Sequence, residues 1–180
     1  MLPPGHIAAG FLTAKALLYF AHPALTAAQQ THLLWWGIFF GLAPDLDNFV
    51  AFAKVKAWWY KPGVDNTIHR KFYTHLPILW LIAGLLTYFC AQSPYYKTFG
   101  LLVWLGSWSH LFLDSIDYGI MWLWPFNKEI WAINNRGVEV KIPAKSFFSY
   151  WFNFLKFYIA SWTFSVEIAL LILALFVIKF

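Results

Sequence analysis

Five apolar runs, each long enough to form a helix, dominate this chain and decide the solvent in which it can fold. They cover about Gly5 to Phe20, His32 to Leu42, Pro77 to Ala91, Lys97 to Ser115 and Phe157 to Ile178. Of 180 residues, 61% are hydrophobic and only 12% are charged. A soluble domain carries roughly 25% charged residues, and a core of this size could not hide the surplus apolar surface. The implied solvent is a bilayer. Twelve tryptophans and nineteen phenylalanines fit it, because aromatic side chains collect at membrane interfaces. The predicted fold class is therefore all-α. The expected architecture is a polytopic membrane bundle of about five transmembrane or membrane-embedded helices, the first two short enough to be tilted or shielded by neighbours.

The opening segment, "MLPPGHIAAGFLTAKALLYFAH", lacks the positive n-region of a cleaved signal, and Lys15 interrupts its apolar run. It reads as the first helix of the mature protein. Cys90 is the single cysteine, so no intramolecular disulfide is available. No internal repeat is evident, and residues 1–180 read as one membrane domain. Its ligand-bearing part spans 5–126, and an aromatic interfacial segment with the last helix spans 127–180. The net charge of +5 calls for no nucleic-acid partner, since membrane proteins concentrate Lys and Arg in cytoplasmic loops. Following the chain through five spans puts Lys54, Lys56, Lys61, Arg70, Lys71, Lys128, Arg136, Lys141, Lys145 and Lys156 on one face with the N-terminus. Lys97 and Lys179 fall on the other, and Lys15 lies inside the first helix. The first face is thus expected to be cytoplasmic.

The same tracing gathers polar residues that lie far apart in sequence. His6, Asp45, Asp47, His69, His75, His110 and Asp114 all fall at helix ends on the cytoplasmic face, whereas His22 and His32 fall on the other. His110 and Asp114 are four residues apart and project from one side of a helix. Asp117 would extend that stripe. Asp45-x-Asp47, just past a helix end, can present two carboxylates from a turn. Each residue also has an ordinary explanation: Asp45 as a helix stop, Asp47 and Asn48 as a turn, a lone histidine as an interfacial side chain. Asp114 resists it, because a carboxylate in an apolar helix is costly without a partner. Joint placement of all seven favours a shared metal site. Mixed His/Asp donors suit zinc first, with manganese or iron as alternatives. Seven donors exceed the needs of one tetrahedral ion, so one or two ions, or a ligand set plus a base, are expected.

Five motifs in order, "GHIAAG", "GLAPDLDN", "HRKFYTH", "HLFLDS" and "YGIMWLWPF", resemble the YdjM-like family of LexA-regulated bacterial inner-membrane proteins classed as metal-dependent hydrolases. The resemblance covers roughly residues 5 to 126. It implies a multi-pass protein of the bacterial inner membrane with hydrolase activity. More distantly, an early His, a "PD" after a helix, a further His and a His-x-x-x-Asp helix are similar to zinc-dependent phospholipase C and the related single-strand nucleases. That likeness would assign His6, Asp45, His69, His110 and Asp114 as metal ligands. The chain departs from the pattern downstream. No histidine follows His110, and the N-terminal amine ligand of those enzymes has no evident counterpart.

The function expected from these readings is hydrolysis of a lipid-linked phosphoester, in a phospholipid or a polyprenyl phosphate, at the cytoplasmic interface. The phosphoester comes from the distant likeness. Asp47 or Asp117 would accept the proton from metal-activated water, and Arg70 would steady phosphoryl oxygens. The membrane and its lipid are the expected partners. Three rivals are a metallo-hydrolase of an amide or carboxylic ester in a lipid, a metal-binding membrane protein without enzymatic activity, and a structural membrane protein without metal whose carboxylates merely stop helices. Glu167, about ten residues into the last apolar run, calls for a partner.

Overall fold

The computed structural model describes residues 1–55, 71–117, 119–134 and 146–179. Among the described residues the chain forms α1 (Pro3–Ala21), α2 (Ala27–Leu42), a 3-10 turn (Ala43–Leu46), α3 (Asp47–Val55) and a second 3-10 turn (Tyr73–His75). There follow α4 (Pro77–Cys90), α5 (Pro94–Asp117), α6 (Phe147–Ile159) and α7 (Trp162–Ile178). No strand occurs among these residues; one isolated antiparallel bridge joins Ile120 to Trp131. The expected all-α class is what the chain adopts.

Local chemistry explains where the helices begin, and why several limits differ from the apolar runs. Proline opens α1 and α4, where its missing N–H is no loss. The second helix starts at Ala27, five residues before the expected His32, because Thr26 and Gln29 form a capping box. The last apolar run is two helices. Ser161 accepts a hydrogen bond from Phe164 N and starts α7 afresh, and α6 and α7 meet at 79°.

Length limits how many helices cross a bilayer. At about 1.5 Å per residue, the 14-residue α4 reaches about 21 Å, short of a hydrocarbon core of about 30 Å. Among the described residues only the 24-residue α5 is long and apolar enough by itself, and α6 with α7 passes the same test as a bent pair. The count of candidate spans is thus one or two, against the five expected. Even so, the outer surface is not that of a protein folded for water. Phe20, Phe89 and Phe148 are 78%, 75% and 82% exposed, while the interior holds imidazoles and carboxylates.

Helix α5 packs against α1, α2 and α4, and α1 also packs against α2 and α7. The core of this bundle is formed by Ala14, Leu33, Phe40, Ala43, Leu102 and Val103. Close approach of α1 and α2 rests on small residues spaced four apart, Gly10 and Ala14 facing Gly37 and Gly41. A Cβ placed on Gly37 would lie 2.6 Å from Ala14 Cβ, and one on Gly41 2.5 Å from the His6 carbonyl oxygen. Small-xxx-small seams of this kind let helix backbones touch where lipid supplies no hydrophobic drive. Here the seam brings the His6 turn against the end of α2.

An alanine in place of a helical glycine ordinarily stabilises by about 1 kcal/mol. Gly41→Ala should instead destabilise, by roughly 1–3 kcal/mol of overpacking, because its neighbour is backbone. Thermal unfolding of the purified protein in detergent checks the sign; a raised midpoint would rule the contact out.

Candidate metal centre

Pro44 ends regular α-helix after α2, and the following 3-10 turn presents Asp45. Its carboxylate accepts a hydrogen bond from Asn48 Nδ2 at 3.0 Å. His75 comes from the 3-10 turn before Pro77, where the chain must leave helix again. His110 and Asp114 lie one turn apart on α5. These four donors, from three separate elements, offer ligand atoms that all lie within 4.8 Å of one another.

The pairwise distances suit a cation. His110 Nε2 is 3.6 Å from Asp45 Oδ1 and 3.6 Å from Asp114 Oδ2. His75 Nε2 is 3.7 Å and 3.8 Å from the same two oxygens. Ligands at 2.0–2.2 Å from a tetrahedral ion stand roughly 3.3–3.6 Å apart, so these four separations are close to that geometry. Both imidazoles also present the correct tautomer. His110 Nδ1 donates to the Gly41 carbonyl at 2.8 Å, and His75 Nδ1 donates to Asp47 Oδ2 at 2.8 Å. In the neutral ring, a nitrogen that donates to an acceptor-only oxygen makes the other nitrogen the unprotonated one, and in both residues that is the Nε2 facing the cluster. His110 Nε2 is buried and makes no hydrogen bond among the described residues. Burying such an atom costs energy unless something satisfies it. The donor set fits a divalent ion.

Asp47 stands behind His75, bonded to the ring nitrogen on the side away from the cluster. Thr74 Oγ1 donates to the same Asp47 oxygen. The carboxylate expected as ligand or proton acceptor is thus placed as the partner that orients a histidine, because the 3-10 turn directs Asp45 and Asp47 to different neighbours. Burial works against the charge on Asp45, but His110, when protonated, outweighs burial and holds this carboxyl below its ordinary range; a bound ion would take the place of that proton.

His6 is fully buried and stacks on His110, with ring centroids 3.8 Å apart. Its Nε2 lies 3.4 Å from Asp114 Oδ1, and the Met1 amine lies 3.4 Å from that same oxygen. Asp114 therefore faces two ways: Oδ2 toward His75 and His110, Oδ1 toward His6 and the amine. Asp117, the other expected proton acceptor, is tied elsewhere. It accepts from Asn134 Nδ2 at 2.7 Å and from the Thr163 hydroxyl, linking α5 to α7. His69 and Arg70 lie outside the described residues. His22 ends α1 far from His6, and His32 is exposed on α2. Sequence reasoning did not single out Thr74 or the Gly41 carbonyl. A main-chain acceptor carries no sequence signal, whereas Thr74, next to a candidate ligand, was findable.

An all-helical chain with an apolar exterior and a buried His/Asp cluster at one end of its bundle is the class that fold and site define together. The chain belongs to the YdjM inner membrane protein family, whose model matches residues 1–180. No curated protein and no solved structure matches it.

Outer partners of metal-ligating histidines commonly contribute 10–100-fold to affinity. Asp47→Asn should accordingly weaken Zn2+ or Co2+ binding within that range, read by titration of chelator-treated protein. Asp117→Asn should lower the unfolding temperature and leave the ion affinity unchanged. Equal affinity for Asp47→Asn and wild type would remove Asp47 from the site.

Proposed function

We propose that this protein is a membrane metal-dependent hydrolase acting on a lipid-linked phosphoester at the cytoplasmic interface. One observation carries this reading: four ligand groups converge at one end of the bundle, and exposed apolar side chains follow or precede them closely in the chain. His75, His110 and Asp114 are buried, while the Asp45 side chain is 26% exposed. Leu46, Phe49 and Val50, which follow Asp45 in the chain, and Tyr73, two residues before His75, expose their side chains. A charged site on segments that also expose apolar side chains suits an amphiphile whose headgroup meets the ion and whose chains stay in lipid.

When bound, a divalent ion supplies Lewis acidity toward a phosphoryl oxygen and lowers the pKa of water. Residues of the chain do the rest. Asp45, His75, His110 and Asp114 hold the ion, with His6 beside Asp114 Oδ1 available to a second. Asp47 and Thr74 fix the tautomer and direction of His75. Arg70, five positions before His75, is assigned to steadying phosphoryl oxygens with its bidentate fork. Zinc is the favoured ion for this donor set. The basic loops assigned to the cytoplasmic side support the orientation.

Metal analysis of protein purified without chelators, beside Asp45→Ala and His110→Ala, tests the site. Wild type should carry one or two equivalents and the variants markedly less; equal, low contents would refute it. Phosphate or headgroup release from a panel of phospholipids and polyprenyl phosphates tests the chemistry. It should fall to background in both variants and after chelation, and return on adding Zn2+. Release of fatty acid without phosphate or headgroup product would favour the ester or amide rival. Metal binding with no turnover of any lipid would favour a non-enzymatic role.

A further inference from the structure

Helices α6 and α7 carry none of the candidate ligands, yet a buried carboxylate from α7 reaches the turn that carries His6. Glu167 is 3% exposed. Its Oε1 accepts the Gly5 N–H at 3.0 Å, and its Oε2 accepts the hydroxyl of Tyr158 from the end of α6. The Tyr158 oxygen in turn accepts the Leu2 N–H at 3.4 Å.

Proline at positions 3 and 4 removes two donors, so Gly5 supplies the first N–H inside α1. Leu2, at the position before the helix, has no side chain that could cap it. The corner of α6 and α7 thus engages the main-chain donors on both sides of the two prolines. A carboxylate at this end also meets the positive pole of the helix. A Cβ at position 5 would lie 2.5 Å from Met1 Sδ and 3.1 Å from Glu167 Cγ, so a larger residue there would displace the Met1 side chain.

Stability alone does not call for this arrangement. Helices α2, α6 and α7 are capped by the neighbouring Thr26, Ser146 and Ser161, at no cost of burying a charge. For α1 the cap comes from the far end of the chain. It grips the residue directly before His6, whose ring stacks on His110 and whose Nε2 is 3.4 Å from Asp114.

We propose that Glu167 and Tyr158 are positioning residues of the metal centre: by clamping the first turn of α1 they hold His6 against His110 and Asp114. The corner of the last two helices thereby tunes ion affinity without touching the ion. The inference rests on the metal-binding reading above.

A double-mutant cycle on the full chain in detergent tests it. Zn2+ or Co2+ affinity is measured after chelator treatment for wild type, Glu167→Gln, Tyr158→Phe, His6→Ala and the Glu167→Gln/His6→Ala pair, with thermal unfolding of each ion-free protein alongside. Glu167→Gln and Tyr158→Phe should each weaken binding roughly ten-fold. Glu167→Gln should add nothing once His6 is gone, because residues acting through one another are non-additive. Unchanged affinity in both single variants, or losses that multiply in the pair, would overturn the proposal in favour of a stability role. Should Glu167→Gln fold poorly, Tyr158→Phe with His6→Ala carries the same cycle, since its ring keeps the stack on Phe154. If wild type binds an ion, Asp45→Ala does not, and both corner variants bind like wild type, this proposal alone fails. If wild type binds no ion, both readings fall.

Discussion

A carboxylate buried at the end of an apolar helix cannot stay there uncompensated, and most of this protein is arranged around that requirement at Asp114. Only 3% exposed, it sits on the helix that is best suited to cross a membrane. Its compensation comes from His6 on α1, His75 before α4, His110 one turn back, and the Met1 amine. An isolated charge in such a place would cost several kcal/mol. The chain answers with positive and hydrogen-bonding groups from its own helix and two other segments, and in doing so assembles a set of donors that a divalent ion could use.

That convergence depends on how closely the helices approach. Ridges of leucine and phenylalanine would hold α1 and α2 at the usual 8–10 Å between axes; the Gly10–Ala14 and Gly37–Gly41 seam lets their backbones meet. The His6 turn then reaches Gly41, and the Gly41 carbonyl takes the proton-bearing nitrogen of His110. Packing and electrostatics are coupled here. The glycine seam supplies the main-chain acceptor that fixes a histidine tautomer, and the tautomer determines which nitrogen faces the cluster.

Much of this was legible along the chain. The apolar runs predicted helices, and tracing their direction put the His and Asp residues at one end, where Asp45, His75, His110 and Asp114 do meet. The His110–Asp114 spacing needed nothing beyond helical geometry. Other features were not legible. A hydrophobic run does not report whether it holds one helix or two, so the break at Ser161 and the 79° corner were hidden. Nor does it report reach: α4 is apolar throughout and still too short to cross by itself.

Composition, periodicity and the order of motifs determined by themselves an all-helical chain suited to lipid, and the residue types able to ligate an ion. Those properties are local or additive, and no neighbour needs to be known. Only the tertiary structure decided that Asp45 and Asp47, two positions apart, serve differently, one facing the cluster and one holding His75. It also decided that Asp117 joins α5 to α7, and that Glu167 finds its partner at the start of α1. Each of those roles is set by which atoms lie within about 3 to 4 Å. For groups up to 162 positions apart, helix packing sets that distance and sequence spacing does not.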